Sequence, residues 1–258
     1  MRSILAKMYD QLLVTVYESN ADVGRAAALE ACERIDEAIA EKGEANIIIA
    51  TGNSQLTFLA ALRDLERIDW SKVNVFHMDE YVGIDPDHPA SFPGFLRRHI
   101  IDHVEPKAFY PIPGQARDLD KACREYEKLL RAYPADLCAL GIGENGHLAF
   151  NDPPFADFDD PVWVKVVQLD ETCKQQQVGE GHFGSIEEVP ERAVTLTIPA
   201  LLAAKKVLAI VPEDRKARIV FRALNDPVGP ACPATILRKS PHVHLFLDAD
   251  SAAKVLPG

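Results

Sequence analysis

The chain has 258 residues, of which 47% are apolar and 26% are charged, and its formal net charge is -11. A chain of this length can bury a substantial core, and the composition is ordinary for a globular enzyme. The negative charge disfavours nucleic acid and anionic membranes as partners, because both are bound by basic surfaces. A ligand that bears a phosphate would therefore need a local basic pocket.

The cysteines are odd in number and form no Cys-x-x-Cys pair: Cys32, Cys123, Cys138, Cys173 and Cys232. This pattern disfavours a disulfide framework or a zinc site and is typical of reduced cysteines in the cytosol. No apolar run reaches the ~20 residues of a membrane span, and the first residues lack the apolar segment of a secretory signal. We expect a cytoplasmic protein without a membrane partner.

Strands and helices are predicted to alternate from Leu12–Tyr17, the first predicted strand, onward. An amphipathic helix over Asn20–Ala40, capped by Ser19 or Asn20, precedes the β-branched run Ala45–Ala50. That run is short and fully apolar, which is typical of a central strand in a parallel sheet.

The loop after that run combines a glycine with hydroxyl and amide side chains, in the order Thr51, Gly52, Asn53 and Ser54. A helix is predicted to follow at Leu56–Leu65. A tight turn between a strand and a helix presents free backbone N–H groups and the positive end of the helix dipole to an anion. We interpret the loop as a phosphate cradle. The alternative is that Ser54 merely caps the helix.

A second alternating run, Val73–Tyr81, ends in Asp79 and Glu80. Ligands of parallel α/β sheets bind beyond the carboxyl ends of the strands, so these acids are expected at the ligand-binding edge. A polar loop over residues 82–90 comes next. The elements predicted after it are a helix, a strand and a second helix, at Phe92–His103, Ala108–Ile112 and Leu119–Leu130.

A glycine-rich stretch, Gly141–Pro153, follows the short apolar strand Leu137–Leu140. It contains one imidazole, His147, and three polar neighbours: Glu144, Asn145 and Asp152. Histidine exchanges protons near neutral pH, and a nearby carboxylate can orient its ring. The stretch therefore predicts a proton-transfer site on the same edge as Asp79. The alternative is a simple turn in which the histidine binds a backbone carbonyl.

The segment 154–190 shows no regular pattern, and we expect an irregular lid over the site. Beyond it, two strands separated by a short helix are predicted at Ala193–Ile198 and Lys206–Val211. A helix, Pro212–Ala223, and a last strand, His242–Leu247, follow. Arg215 and Lys216 lie near the start of that helix, where positive charge is unfavourable unless an anion binds. Solvated surface charge is the alternative. His242 and His244 share one side of the last strand, but no further ligand accompanies them, so no metal is expected.

The alternation of elements predicts a single α/β domain over residues 1–258, built on one doubly wound, mainly parallel sheet as a three-layer sandwich.

Two of these stretches resemble sequence blocks of one enzyme family. Residues 76–83 read Phe-His-Met-Asp-Glu-Tyr-Val-Gly and residues 88–92 read His-Pro-Ala-Ser-Phe, which is similar to the Asp-Glu-Tyr block of glucosamine-6-phosphate deaminases. Residues 141–153 resemble the glycine-histidine block of the same family. The 6-phosphogluconolactonases also belong to it, but they usually have arginine after the Asp-Glu pair. Tyr81 and residues 150–153 (Phe-Asn-Asp-Pro) favour the deaminases.

The resemblance implies a Rossmann-like sandwich and an enzyme that opens the ring of glucosamine 6-phosphate, isomerises it, and releases ammonia and fructose 6-phosphate. In this chemistry a carboxylate moves a proton between neighbouring carbons, and an imidazole passes a proton to the ring oxygen. The implied catalytic residues are Asp79, Glu80, Asn145, His147 and Asp152. The implied phosphate ligands are Thr51, Gly52, Asn53, Ser54 and Lys216. A small sugar phosphate is the expected partner, no cofactor or metal is expected, and the sequence is compatible with a homo-oligomer.

Three departures from the family pattern bear on this interpretation. Asn145 stands where many members have aspartate, and Asp152 stands where they have glutamate. The segment 172–183 lacks the family's phosphate-binding arginine, which leaves Lys174 or His182 as substitutes. Two alternatives therefore stay open at this point: a lactonase that uses its histidine to activate water, and a sugar-phosphate-binding protein without turnover.

Overall fold

In the part of the chain that the structure describes, eleven strands form one large sheet and one small sheet. The computed structural model describes residues 2–153, 155–179, 181 and 183–256. The strands are β1 (Ser3–Tyr9), β2 (Leu12–Tyr17), β3 (Ala45–Ile49), β4 (Val73–His77), β5 (Asp79–Tyr81), β6 (Ala108–Tyr110), β7 (Leu137–Leu140), β8 (Val164–Gln168), β9 (Arg192–Leu196), β10 (Lys206–Ile210) and β11 (Val243–Asp248). The large sheet has the order β1-β2-β11-β10-β7-β3-β4-β6 and is parallel except between β1 and β2.

Helices cover both faces of the large sheet. The α-helices of the described chain are α1 (Asn20–Lys42), α2 (Leu56–Arg63), α3 (Phe92–Leu96), α4 (Asp102–Val104), α5 (Leu119–Ala132), α6 (Glu171–Gly179), α7 (Ile198–Leu202) and α8 (Ala217–Asn225), of which α6 packs beside Tyr81 and not on the large sheet. In β3, Ile47 and Ile49 pack in one core with α1 and α2, whereas Ile48 packs in the other with α5 and α8. Alternate residues of a strand face opposite sides, so one apolar run serves two cores. The predicted doubly wound three-layer fold is confirmed.

Helix α1 shows how closely local chemistry determines these elements. The Ser19 hydroxyl accepts a hydrogen bond from the backbone N–H of Asp22 at 3.2 Å, and Gly43 ends the helix in the left-handed region with φ of 83°. Glycine adopts that conformation without steric cost. Val23 and Ile35 belong to its buried face. The prediction of this helix is confirmed, with Ser19 as the cap.

Within the described part of the chain, no helix has both the length and the apolar composition needed to cross a bilayer.

The predicted strand Val73–Tyr81 is broken at Met78. Its first part, β4, belongs to the large sheet, while β5 pairs antiparallel with β9 in the small sheet, whose order is β5-β9-β8. The backbone N–H of Leu196 donates to the carbonyl of Met78 at 2.8 Å, and Asp79 pairs with Thr195. A single continuous strand was therefore wrong, because the chain changes sheets just before Asp79.

Two further expectations are corrected. The edge strand β1 precedes the strand that we predicted to be the first; it is largely exposed, and its apolar residues do not alternate with polar ones. The segment 154–190 was expected to be irregular, but its described residues include β8, α6 and a short 3₁₀ helix, Ile186–Glu188. Three of the five β8 residues are half-buried, which explains why the strand has no clear apolar alternation. The role of this segment as a lid stays a prediction.

Candidate active site

A cleft opens beyond the carboxyl ends of β3, β4 and β7, which are neighbours in the large sheet. Its lining includes the loop after β3, Asp79 at the start of β5, and the turn after β7. The predicted site residues that line it are Thr51, Gly52, Asn53, Ser54, Asp79, His147 and Lys216. Parallel α/β sheets bind ligands at this edge because successive loops converge there.

The loop over residues 51–54 turns sharply at Gly52, whose φ is 100°. Glycine is favoured there because a side chain in that conformation would be strained. A 3₁₀ turn, Asn53–Gln55, then leads into α2, whose N-cap is Gln55 without a side-chain capping bond. The alternative that Ser54 merely caps the helix was therefore wrong. The loop offers backbone N–H groups and the positive end of α2 to the cleft.

Lys216 enters the cleft from the opposite side. It ends a 3₁₀ turn, Asp214–Lys216, directly before α8, and only 3% of its surface is exposed. Its ammonium donates a hydrogen bond to the carbonyl of Ile142 at 2.9 Å. Solvated surface charge, the alternative interpretation of this lysine, was wrong. A buried ammonium facing a cleft is suited to an anionic ligand.

The turn after β7 fixes the histidine through its own side chains. The backbone N–H of His147 donates to Asn145 Oδ1 at 3.0 Å, and the amide of Asn145 donates to Asp152 Oδ1 at 2.9 Å. The same carboxylate oxygen lies 2.9 Å from His147 Nδ1. Asp152 thus reaches the imidazole despite being one methylene shorter than glutamate. Neither Asn145 nor Asp152 lines the cleft itself, so both act on His147 from behind.

The pKa values of two carboxylates of the site are shifted in opposite directions. Burial alone would raise the pKa of Asp152, but the hydrogen bond and charge of His147, helped by Asn145, outweigh it and lower the pKa. Burial, with a smaller contribution from the neighbouring Glu80 carboxylate, raises the pKa of Asp79 to about 8. Groups whose pKa values are driven apart in one site are candidates for different proton-transfer roles.

Glu80 does not join Asp79 in the cleft. Its carboxylate accepts hydrogen bonds from the Ser91 hydroxyl at 3.0 Å, the Phe92 N–H at 3.2 Å and the Tyr81 N–H at 2.8 Å. Burial raises the pKa of Glu80 to about 7, although these hydrogen bonds oppose the shift. Neighbouring strand residues face opposite sides, so Glu80 fixes the start of α3 instead.

The two sequence blocks of the resemblance contact each other through Tyr81. Its ring lies 5.4 Å from that of Phe150 and 4.9 Å from that of Phe92, between ring centroids. Its hydroxyl donates to Gln177 Oε1 of α6 at 2.7 Å. Gln177 lines the cleft and is 6% exposed. Sequence reasoning missed it, because glutamines in a helix of weak periodicity give no distinctive signal.

Among the described residues of the segment 154–190, those that line the cleft are amides and none is a cation. Gln176 lines it next to Gln177 and accepts a hydrogen bond from the Glu144 N–H at 3.0 Å. Lys174, one of the two substitutes for the missing arginine, is not among the lining residues and its ammonium lies 3.4 Å from Glu171. The other substitute, His182, lies outside the described residues.

A cluster of metal-ligand types in the described chain coincides with the site itself: His147, Asp152 and Cys173, whose ligand atoms lie within 4.8 Å of one another. The histidines near the last strand are engaged elsewhere. His244 lies 2.8 Å from the Thr15 hydroxyl and 2.7 Å from Glu30, and His242 lies 3.0 Å from the carbonyl of Leu202. A site without a resident metal stays our prediction.

Gly143 provides the space that the imidazole occupies. A Cβ atom added at Gly143 would lie 2.2 Å from His147 Nε2. Gly143→Ala is therefore expected to displace the ring and to lower turnover by about 10²-fold or more, as the loss of an acid or base group would. Steady-state turnover of the substrate identified below measures this.

The matched control is Gly179→Ala at the end of α6. An added Cβ there meets no atom within 4 Å, so this variant should keep wild-type turnover. Equal turnover of Gly143→Ala and Gly179→Ala would contradict the close approach of His147 to the glycine.

The chain matches known proteins over most of its length. Residues 18–245 match the family model described as glucosamine-6-phosphate isomerases/6-phosphogluconolactonase. The chain is 35% identical, over 217 residues, to a glucosamine-6-phosphate deaminase of Bacillus thuringiensis (strain Al Hakam), with 84% of this chain and 80% of that protein covered.

Solved structures agree with the sequence comparison. A monomeric glucosamine-6-phosphate deaminase superposes with a TM-score of 0.86 at 28% identity, covering 93% of this chain and 99% of that one. A 6-phosphogluconolactonase from Shewanella baltica has a TM-score of 0.76 at 17% identity, covering 94% and 100%, which establishes a common fold only. By its sequence match, its fold and its curated relatives, the chain belongs to the glucosamine-6-phosphate isomerase/6-phosphogluconolactonase family.

Proposed function

We propose that this protein is a glucosamine-6-phosphate deaminase, which converts glucosamine 6-phosphate and water to fructose 6-phosphate and ammonia. The observation that supports this most directly is a buried carboxylate, Asp79, lining one cleft with the paired imidazole His147. The curated and solved relatives that are deaminases support the same reaction.

The phosphate of the substrate would bind between the loop 51–54 and Lys216. This arrangement combines backbone N–H groups, the positive end of α2 and a buried ammonium in a protein whose net charge is -11. Charge-assisted hydrogen bonds to phosphate are stronger than neutral ones, so this end of the cleft would provide most of the binding free energy. The sugar would then extend toward Asp79 and His147.

Ring opening is the first chemical step that we assign. His147 takes the proton of the C1 hydroxyl and returns a proton to the ring oxygen as the bond between C1 and that oxygen breaks. The product is the open-chain aldehyde. Asp152 and Asn145 keep the imidazole oriented while it carries the proton. An oriented acid or base of this kind typically contributes about 10²- to 10⁴-fold in rate.

The proton shift and deamination follow. Asp79 takes the proton from C2 and returns it to C1, while a second proton passes from the amino group to the C1 oxygen, so that the double bond moves from C1=O to C2=N and C1 becomes an alcohol carbon. Water then adds to the C2 imine, ammonia leaves, and fructose 6-phosphate remains. No net oxidation occurs, because the electron pair lost from C2 is gained at C1.

The electrostatics of Asp79 suit this role. Its pKa of about 8, raised chiefly by burial, makes it a stronger base than an ordinary aspartate. The amino group of the substrate, when protonated, would lie next to the C2 proton. A cation at that distance favours the ionised carboxylate, so substrate binding itself would help to prepare the base.

The decisive experiment measures ammonia release by the purified protein from glucosamine 6-phosphate. Galactosamine 6-phosphate and 6-phosphogluconolactone are assayed in parallel, because the epimers differ only in the orientation of one hydroxyl. Ammonia from an amino sugar supports the proposal and identifies the epimer. Lactone hydrolysis without ammonia would move the protein to the lactonase branch. Ligand-dependent thermal stabilisation without any product would indicate a binding protein.

Lys216→Met tests the phosphate end of the cleft. We expect KM for the sugar phosphate to rise about 10- to 100-fold, because a charge-assisted hydrogen bond is lost, while kcat changes much less. The control is Lys174→Met, since Lys174 does not line the cleft and pairs with Glu171. If Lys174→Met weakened binding and Lys216→Met did not, the phosphate would bind at the lid instead.

The cellular location and the oligomeric state belong to the same proposal. We place the protein in the cytoplasm, a location supported by five buried cysteines that form no disulfide. A homo-oligomer stays a prediction, and size-exclusion chromatography with light scattering tests it.

A further inference from the structure

His77 is a buried histidine that packing alone does not explain. It ends β4, two residues before Asp79, and none of its surface is exposed. Within the described residues, neither Nδ1 nor Nε2 has a hydrogen-bond partner. Buried polar atoms without partners are rare in native proteins, because each loses its hydration without compensation.

The backbone of His77 is fixed in place. Its N–H donates to the Tyr126 hydroxyl at 3.2 Å, and that hydroxyl lies 3.0 Å from the His77 carbonyl. The ring of Phe92 meets the imidazole edge to face, with 6.0 Å between ring centroids. A polar group near a ring nitrogen would therefore meet an imidazole whose backbone is fixed and whose ring is packed against Phe92.

One such group is the base itself. His77 Nε2 lies 3.7 Å from Asp79 Oδ1, and that oxygen also lacks a hydrogen-bond partner among the residues the structure describes. The distance exceeds a normal hydrogen bond by roughly 0.5 Å, and catalytic hydrogen bonds are often long in empty sites and tighten when ligand binds. Burial lowers the pKa of His77 to about 3, so the ring is neutral and has a single N–H to donate.

We propose that His77 is a positioning residue for Asp79: its Nε2–H donates to Oδ1 of the carboxylate and directs Oδ2 toward C2 of the substrate. This inference rests on the proposed function, in which Asp79 takes the C2 proton. A donor on one oxygen stabilises the ionised form and stops the carboxylate from rotating.

Other ionisable groups lie around Asp79. Glu80 follows it in β5 and raises its pKa, and Cys173 faces it from α6. His147 and Lys216 line the same cleft from the turn after β7 and from the segment before α8. These four side chains are the same in the His77 variants, so a change in the pKa or reactivity of Asp79 would result from the loss of the imidazole.

The test compares His77→Phe, which keeps a ring of similar size, with His77→Gln, which keeps an N–H donor. We expect His77→Phe to lower kcat about 10- to 100-fold, the effect of losing a hydrogen bond to a charged group. KM should stay nearly unchanged, and the isotope effect with C2-deuterated substrate should increase because proton removal becomes slower. His77→Gln should recover kcat to within about threefold of wild type. Wild-type kcat in His77→Phe, or an equal loss in both variants, would overturn the proposal.

A second measurement does not depend on turnover. Infrared difference spectroscopy follows the protonation of Asp79 with pH, with Asp79→Asn identifying its carboxyl band. We expect the pKa of Asp79 to be higher in His77→Phe than in the wild type, and an unchanged value would refute the hydrogen bond. A wild type that releases no ammonia would disprove the proposed function alone, and the spectrum would still decide whether His77 binds Asp79.

Discussion

Asp79→Asn is expected to abolish the deamination of glucosamine 6-phosphate, with a loss in kcat of about 10²- to 10⁴-fold. The amide that replaces the carboxylate has nearly the same shape but cannot accept the proton of C2. Two assays measure the effect: ammonia release, and exchange of the C2 proton with deuterated solvent. Both should disappear, because the proposed route from the aldose to the C2 imine passes through removal of that proton.

The control for this variant is its thermal unfolding as a function of pH. The folded-state pKa of Asp79, about 8, lies above the 3.8 of an ordinary aspartate. Between these values the folded protein binds more protons than the unfolded chain, so the carboxyl makes stability fall as pH rises. The amide does not titrate, and the Tm of Asp79→Asn should therefore rise relative to wild type from pH 5 to pH 8. If the Tm of Asp79→Asn at pH 8 were instead lower than that of the wild type, the lost activity would reflect unfolding.

His147→Ala is expected to cause a loss of similar size, about 10²- to 10⁴-fold in kcat, through a different step. The variant still has Asp79, so it can isomerise whatever open-chain sugar forms spontaneously, but it cannot assist ring opening. Added imidazole should restore part of the activity, because it can fill the space that the side chain vacates. The same addition should have no effect on Asp79→Asn.

The matched control is His103→Ala, since His103 is exposed on α4 and outside the cleft lining. This variant should turn over as the wild type does. The pair of site variants also separates the two branches of the family. Loss of activity in His147→Ala together with full activity in Asp79→Asn would indicate a hydrolase that uses the imidazole to activate water.

Sequence reasoning succeeded where chemistry is local. The loop 51–54 and the turn 141–153 each follow a short apolar strand, and parallel strands deliver their carboxyl ends to one edge. Asn145 and Asp152 lie within seven residues of each other along the chain, and the structure joins them by a hydrogen bond. Such short-range patterns are readable because the groups that interact are also neighbours in sequence.

It failed where the partner lies far along the chain. The run 73–81 contains no glycine or proline that would mark a break, and only the pairing of Asp79 with Thr195 reveals that it crosses between two sheets. Glu80 was expected beside Asp79, but the alternation of side chains directs its carboxylate toward Ser91. Gln177 and His77 gave no signal, because their significance depends on which distant residues they face.

The pairing of β5 with β9 has a dynamic consequence. Thr195 is the partner of Asp79, and its hydroxyl also accepts a hydrogen bond from the Phe150 N–H at 3.0 Å, within the turn that bears His147. The amide of Asn151 donates to the carbonyl of Leu196, the next residue, at 2.8 Å. Asp79 and the turn that bears His147 are thus both attached to β9, a strand to which neither belongs. We therefore expect a thermal displacement of β9 to carry both side chains with it, so that the separation between them changes little.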